Sequence, residues 1–219
     1  MLLLLAFFSS QVLLYTHKNA MTEQHRPRVG LLCIDTQRAF RDISLFARER
    51  SNPDFEQNFT ALLTAVRKLE GAKIFHVFHS SLNPSSHLHP SAGDGENIKF
   101  MDYAEPIRDE VVTMKHANSG FVGTDLEARI KAENINTLFV CGLILDHCVS
   151  TTTRMARDLG VTDVDGRKGT IVLVQDATAT FNRGDVPAEI VHKVSYESLR
   201  GEFAEIMNTN TVLESFKDL

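Results

Sequence analysis

The sequence predicts an α/β domain: a mostly parallel β-sheet covered by helices on both faces. Three observations predict it. Short apolar runs recur at 29–34, 73–79, 137–142 and 170–175. They are near-continuous rather than alternating, the pattern of strands buried on both sides. Segments with apolar residues at helical spacing lie between them, and such alternation gives crossover units with parallel strands. The chain has 219 residues, enough for one such domain with a sizeable core.

Each element has its own signal. Val29-Gly-Leu-Leu-Cys-Ile34 is the first strand, and it ends at a carboxylate, Asp35. Residues 58–69 carry apolar side chains at helical period, and Gly71 stops that helix. Residues 73–79 are the second strand. Residues 80–95, rich in Ser, Pro, His and Gly, read as a long surface loop. A short third strand covers 110–114. Thr124 is expected to cap a helix over 124–131, with Glu127 completing a capping box. The fourth strand, 138–141, leads through Asp146-His147-Cys148 into a helix over 149–159. Residues 161–169 are polar and turn-rich, an inserted surface loop. With residues 80–100, this insertion is expected to shape the mouth of a cleft. The fifth strand covers 170–175 and Asp176 leaves its end. A helix follows over 186–194, with Pro187 in its first turn. A short strand or helix near 202–206 closes the domain.

Composition excludes several classes. The formal net charge is −5 and no basic stripe appears, so nucleic acid is not an expected partner. No interior stretch is long and apolar enough to span a bilayer. Three cysteines without regular spacing, Cys33, Cys141 and Cys148, argue against a disulfide framework and fit a reducing compartment. The cytoplasm is therefore the expected location. Residues 1–25 form an apolar N-terminal extension, Met1-Leu-Leu-Leu-Leu-Ala-Phe-Phe at its start, with no basic residue before it. This resembles the hydrophobic part of a signal peptide without its charged flank. The folded domain is expected over 26–219, with secretion as the alternative if the extension is a signal.

Cys148 is the most informative residue. It sits where a buried strand hands over to a helix. A cysteine at a helix start faces unpaired N–H groups and the positive end of the dipole, which favour thiolate. The bland alternative is a small buried hydrophobe. Two other strand ends add weight. Asp35 ends the first strand and Lys115 the third. In a parallel sheet all three project to the same edge, where ligands bind. Asp35 can then accept the thiol proton, Lys115 can lower the cysteine pKa, and the thiolate can attack a carbonyl or nitrile carbon. Singly, Asp35 could only cap a helix and Lys115 could be an ordinary loop lysine.

The segments Leu32-Cys-Ile-Asp35-Thr-Gln37 with Phe40, Lys115-His-Ala-Asn-Ser-Gly-Phe121, Val140-Cys-Gly142-Leu-Ile-Leu-Asp-His-Cys148 and Val174-Gln-Asp176-Ala177 together resemble the isochorismatase-like cysteine hydrolases, from about residue 29 to 203. The resemblance implies a doubly wound, three-layer αβα fold on a six-stranded sheet. It implies a catalytic triad of Asp35, Lys115 and Cys148. It implies pocket walls from Phe40 and Phe121 and a non-proline cis peptide shaping an oxyanion hole, here expected from backbone N–H groups at Ile144, Leu145 and Cys148. Gln37 and Ile144 are further expected substrate contacts. His147, poorly placed to act as a base on its neighbour, is expected to line the pocket or bond the backbone. Relatives form dimers or tetramers, so a homo-oligomer is expected.

Two departures stand out. Bulky Ile144 and Leu145 replace the small polar residue usual before the Asp-His-Cys segment. No Asp-x-His follows Phe40, the pattern by which nicotinamidases of the family hold a metal. A site from His79, His87 and His89 lacks a neighbouring carboxylate, so neither metal nor other cofactor is expected. The expected function is hydrolysis of a C–N bond in a small amide or ureido substrate through an acyl-thioester. The alternatives are vinyl-ether hydrolysis of the isochorismatase type, and a non-catalytic binding protein that keeps the fold.

Overall fold

The computed structural model describes residues 27–41 and 49–218; the N-terminal extension lies outside the described residues. Six strands form one sheet: β1 (Val29–Ile34), β2 (Lys73–His79), β3 (Val111–Lys115), β4 (Thr137–Gly142), β5 (Thr170–Thr178) and β6 (Glu205–Met207). Their order is β3-β2-β1-β4-β5-β6, and every neighbouring pair is parallel. The winding reverses between β1 and β4. In such a sheet the carboxyl ends of those two strands flank the natural ligand crevice.

Alternate residues of each strand feed two cores. Leu31 and Cys33 face one side, where helix α1 (Phe55–Val66) supplies Phe55, Phe59, Leu62 and Val66, and α5 (Thr209–Ser215) supplies Val212. Leu32 and Ile34 face the other side. There α2 (Leu126–Ala132) supplies Leu126 and Ile130, and α3 (Ser150–Asp158) supplies Ala156. The helix α4 (Ala188–Glu197) packs its Tyr196 against this second core. The result is the three-layer arrangement expected. Among the described residues no helix is long and apolar enough to cross a membrane.

Several local expectations shift. Helix α1 starts and stops three residues early, because the chain after Val66 tightens into a turn before Gly71 adopts φ 76°. The expected capping box does not form. Thr124 Oγ1 donates to the Gly120 carbonyl at 2.6 Å and receives the Leu126 N–H only at 3.4 Å, while Glu127 pairs with Lys131 at 2.7 Å. Strand β5 runs on to Thr178, so Asp176 lies within it, and Pro187 precedes α4 as its N-cap. Residues 161–169 are a larger correction. They lie at the amino edge of the sheet, in a groove shared with Arg28 and Thr137, and take no part in the cleft mouth. Helix α3 carries the chain back to that edge before β5 begins.

Candidate active site

Three strand ends deliver the central groups. Asp35 follows β1 with φ 49°, and its N–H donates to the Val77 carbonyl at 2.8 Å. This tie to β2 leaves the Asp35 side chain fully buried at the carboxyl edge rather than capping a helix. Lys115 is the last residue of β3, two strands away from β1 in the sheet. Strands are spaced by about 4.8 Å, so only a long side chain spans that gap. Lys115 is also fully buried, far from an ordinary loop lysine. Cys148 lies in a π-helical turn, Leu145–Val149, that follows β4 and runs into α3.

The three groups meet. Lys115 Nζ stands 2.7 Å from Asp35 Oδ2 and 3.3 Å from Cys148 Sγ. It also reaches the Ala117 carbonyl at 3.1 Å and His79 Nδ1 at 3.3 Å. The other carboxylate oxygen, Asp35 Oδ1, is buried and has no hydrogen bond of normal geometry among the described residues. A buried acceptor of this kind is costly unless it is used. The Asn118 Oδ1 atom lies 3.8 Å from the sulfur.

Burial sets the protonation of the group. It raises the Asp35 carboxyl against the pull of the Lys115 ammonium. It also pushes the Cys148 thiol up to about 12, helped by the Asp35 charge and opposed by Lys115. The sequence argument from a helix start and a nearby lysine points to a ready-made thiolate, and the structure corrects it. Desolvation penalises the charged form more than one cation compensates. Burial therefore favours the thiol form of the sulfur. His79, beside Lys115, is lowered to about 4 by burial and by that ammonium, and stays neutral at neutral pH.

A cleft of about 230 Å³ opens onto Cys148. Phe40, Leu88, Ile144 and Phe181 form its apolar walls. His79, Asn118, His147 and Arg183 supply the polar ones. Of the expected contact residues, Phe40, Ile144 and His147 line the cleft. Gln37 does not: it is fully buried, and its amide bonds His79 N, His79 O and Ile98 O, each at 2.9 Å. It ties the segment after β1 to the end of β2 and to Ile98 of the 80–100 loop. Phe121 packs into the second core, with Gly120 beside it pinned to Thr152 Oγ1 at 2.9 Å.

The oxyanion expectation also needs correction. The Leu143–Ile144 peptide bond is cis. The Leu145 N–H is already spent on the Ala179 carbonyl at 2.9 Å. The Ile144 N–H has no backbone acceptor among the described residues.

Arg183 was not legible as a site residue. It binds Asp146 through Nε at 2.7 Å and Nη2 at 3.1 Å, and Nη2 also lies 3.1 Å from His147 Nε2. Thr180 Oγ1 donates to the same carboxylate. Burial pushes Asp146 up, but Arg183 and Thr180 outweigh it and hold the carboxyl below its ordinary value. The clamp fixes the segment before Cys148 to the loop after β5.

His79 Nδ1 faces an ammonium, and His89 Nδ1 is 2.8 Å from Ser91 Oγ. Among the described residues no three His, Cys, Asp or Glu side chains group closely enough to hold an ion.

A parallel αβα sheet gathers a buried carboxyl, ammonium and thiol at its switch point, and comparison with known proteins gives the class. The model of the isochorismatase domain matches residues 29–211. The uncharacterised isochorismatase family protein YrdC of Bacillus subtilis is 34% identical over 192 residues, covering 85% of this chain and 95% of its own. Streptothricin hydrolase of Streptomyces noursei is 29% identical over 162 residues, 73% of this chain and 51% of its own. A crystal structure of an isochorismatase-family protein from Chromobacterium violaceum superposes with a TM-score of 0.76 at 31% identity, covering 88% of this chain and 95% of that one. The chain belongs to the isochorismatase-like hydrolase family.

Proposed function

We propose that this protein is a cysteine-dependent hydrolase that cleaves a C–N bond in a small amide or ureido-type substrate. The observation that carries the reading is the position of Lys115 Nζ, 2.7 Å from Asp35 and 3.3 Å from Cys148 at the floor of a small cleft. The hydrolase name of the Streptomyces noursei relative supports it.

The chemistry follows from the protonation state. Cys148 begins as a thiol, so attack and deprotonation go together. The thiol proton passes to Asp35, whose raised carboxyl is a stronger base than a solvated one. The sulfur bonds to the carbonyl carbon, and the C=O π pair moves onto oxygen. With the Leu145 N–H already bonded to Ala179, the backbone N–H groups of Ile144 and Cys148 are the donors assigned to that oxyanion. When the C–N bond breaks, the amine leaves with the proton held by Asp35. Water then gives a proton to Asp35 and attacks the thioester carbon. The C–S bond breaks, the acid departs and the sulfur regains its proton. Lys115 balances the carboxylate before transfer and the sulfur during it.

One observation favours a second reading. The raised carboxyl of Asp35 also suits an acid that protonates a vinyl ether, a reaction that needs no thiol. Assay of a panel of small amides and ureides, with isochorismate alongside, separates the two. Amide turnover lost in Cys148→Ala supports the first. Isochorismate turnover that survives in Cys148→Ala supports the second.

A further inference from the structure

The Lys115 ammonium faces more acceptors than it can serve. It has three hydrogens and four neighbours: Asp35 Oδ2 at 2.7 Å, Ala117 O at 3.1 Å, and Cys148 Sγ and His79 Nδ1 both at 3.3 Å. The two shortest contacts take two hydrogens. The third is contested by the sulfur and the imidazole at equal distance. A lysine ammonium only donates, so this 3.3 Å contact is a hydrogen bond in the tautomer that carries the ring proton on Nε2, and that is the tautomer the inference uses.

His79 is held in this position. Its backbone N–H and carbonyl are both bonded by the Gln37 amide at 2.9 Å. It pairs in register with Lys115 across β2 and β3. Burial opposes protonation of its ring most, the Lys115 ammonium and the neighbouring His116 ring oppose it further, and a hydrogen bond to the Ala117 carbonyl favours it. The ring therefore remains a neutral acceptor under ordinary conditions.

We infer that His79 is a positioning residue: its Nδ1 takes one Lys115 N–H in the empty site and yields it to the Cys148 sulfur as that sulfur becomes charged. The inference rests on the reading of Cys148 as nucleophile. His79 adds to burial, which is the main cause of the raised thiol, by drawing one N–H of the neighbouring ammonium away from the sulfur. A neutral imidazole competes well with a neutral thiol, a poor acceptor, and poorly with a thiolate.

The test is the rate of Cys148 alkylation by iodoacetamide at neutral pH, followed by mass spectrometry in the full chain. It needs no substrate, so it stands apart from the success or failure of the amide reading. His79→Leu fills the space but offers no acceptor. His79→Asn places an amide oxygen near the position of Nδ1. With the imidazole gone the third hydrogen serves the sulfur alone, and the cysteine pKa falls. A fall of about one pH unit gives tenfold more thiolate and costs about threefold in nucleophilicity, so alkylation rises about threefold. The expected result is a faster His79→Leu chain and a His79→Asn chain close to the parent. Pure packing gives the reverse order, because the smaller asparagine admits water while leucine does not. That order, or equal rates in all three chains, including no reaction in any, overturns the inference. If His79→Leu does not fold, His79→Asn decides alone: an unchanged rate supports the inference and a faster one overturns it.

Discussion

Lys115 and Asp35, 80 residues apart in the chain, meet at 2.7 Å with neither side chain exposed to solvent. A buried pair of this kind is costly to break. Removing one partner strands the other charge, at about 3–5 kcal/mol. Lys115→Met and Asp35→Asn are each expected to lower unfolding stability by about that amount. The double variant is expected to lose much less than their sum, because it buries no unpaired charge. Urea unfolding of the four chains checks this, and additive losses would speak against a coupled pair.

Acid is expected to destabilise the fold in two windows. His79 is lowered to about 4 from 6.5. The unfolded chain therefore binds its proton first, and stability present above 6.5 is lost as pH falls toward 4. Burial opposes ionisation of Glu110, but Arg67, His76 and the Ile107 N–H together lower it from 4.5 to about 2. That contribution is present above 4.5 and lost as pH falls toward 2. Thermal melts against pH are expected to flatten in the upper window in His79→Asn and in the lower one in Glu110→Gln. Unchanged slopes would show that these groups do not govern acid stability.

Gly142 sets how closely β4 approaches β1 beneath the site. Its φ is 118°, and an added Cβ would lie 2.0 Å from the Ile34 carbonyl oxygen. Backbone cannot yield as a side-chain tip can. Gly142→Ala is expected to cost more than about 3 kcal/mol or to prevent folding. A melting temperature within a few degrees of the parent would contradict the close approach.

Much of the site was legible because of one geometric rule. Parallel strands send their carboxyl ends to one edge, so Asp35, Lys115 and Cys148 could be gathered without coordinates. What failed depended on partners distant in sequence. Nothing near Leu145 reveals that its N–H is taken by Ala179, and nothing near Gln37 reveals that its amide is spent on His79 and Ile98. Arg183 carries no motif; its meaning comes from Asp146, 37 residues earlier. The cysteine pKa was misjudged for a related reason. Helix start and lysine are local signals, whereas burial of the sulfur is a property of the whole cleft. The 161–169 loop is a different case. Helix α3 returns the chain to the amino edge, so strand–helix alternation already held the answer.

The most direct test of the central assignment is the intact mass of enzyme quenched during turnover of an amide identified in the panel. An acyl adduct is expected on Cys148 in the parent chain. In Cys148→Ala, both adduct and turnover are expected to be absent. Turnover at the parental rate by Cys148→Ala would contradict the assignment of the sulfur as the attacking atom.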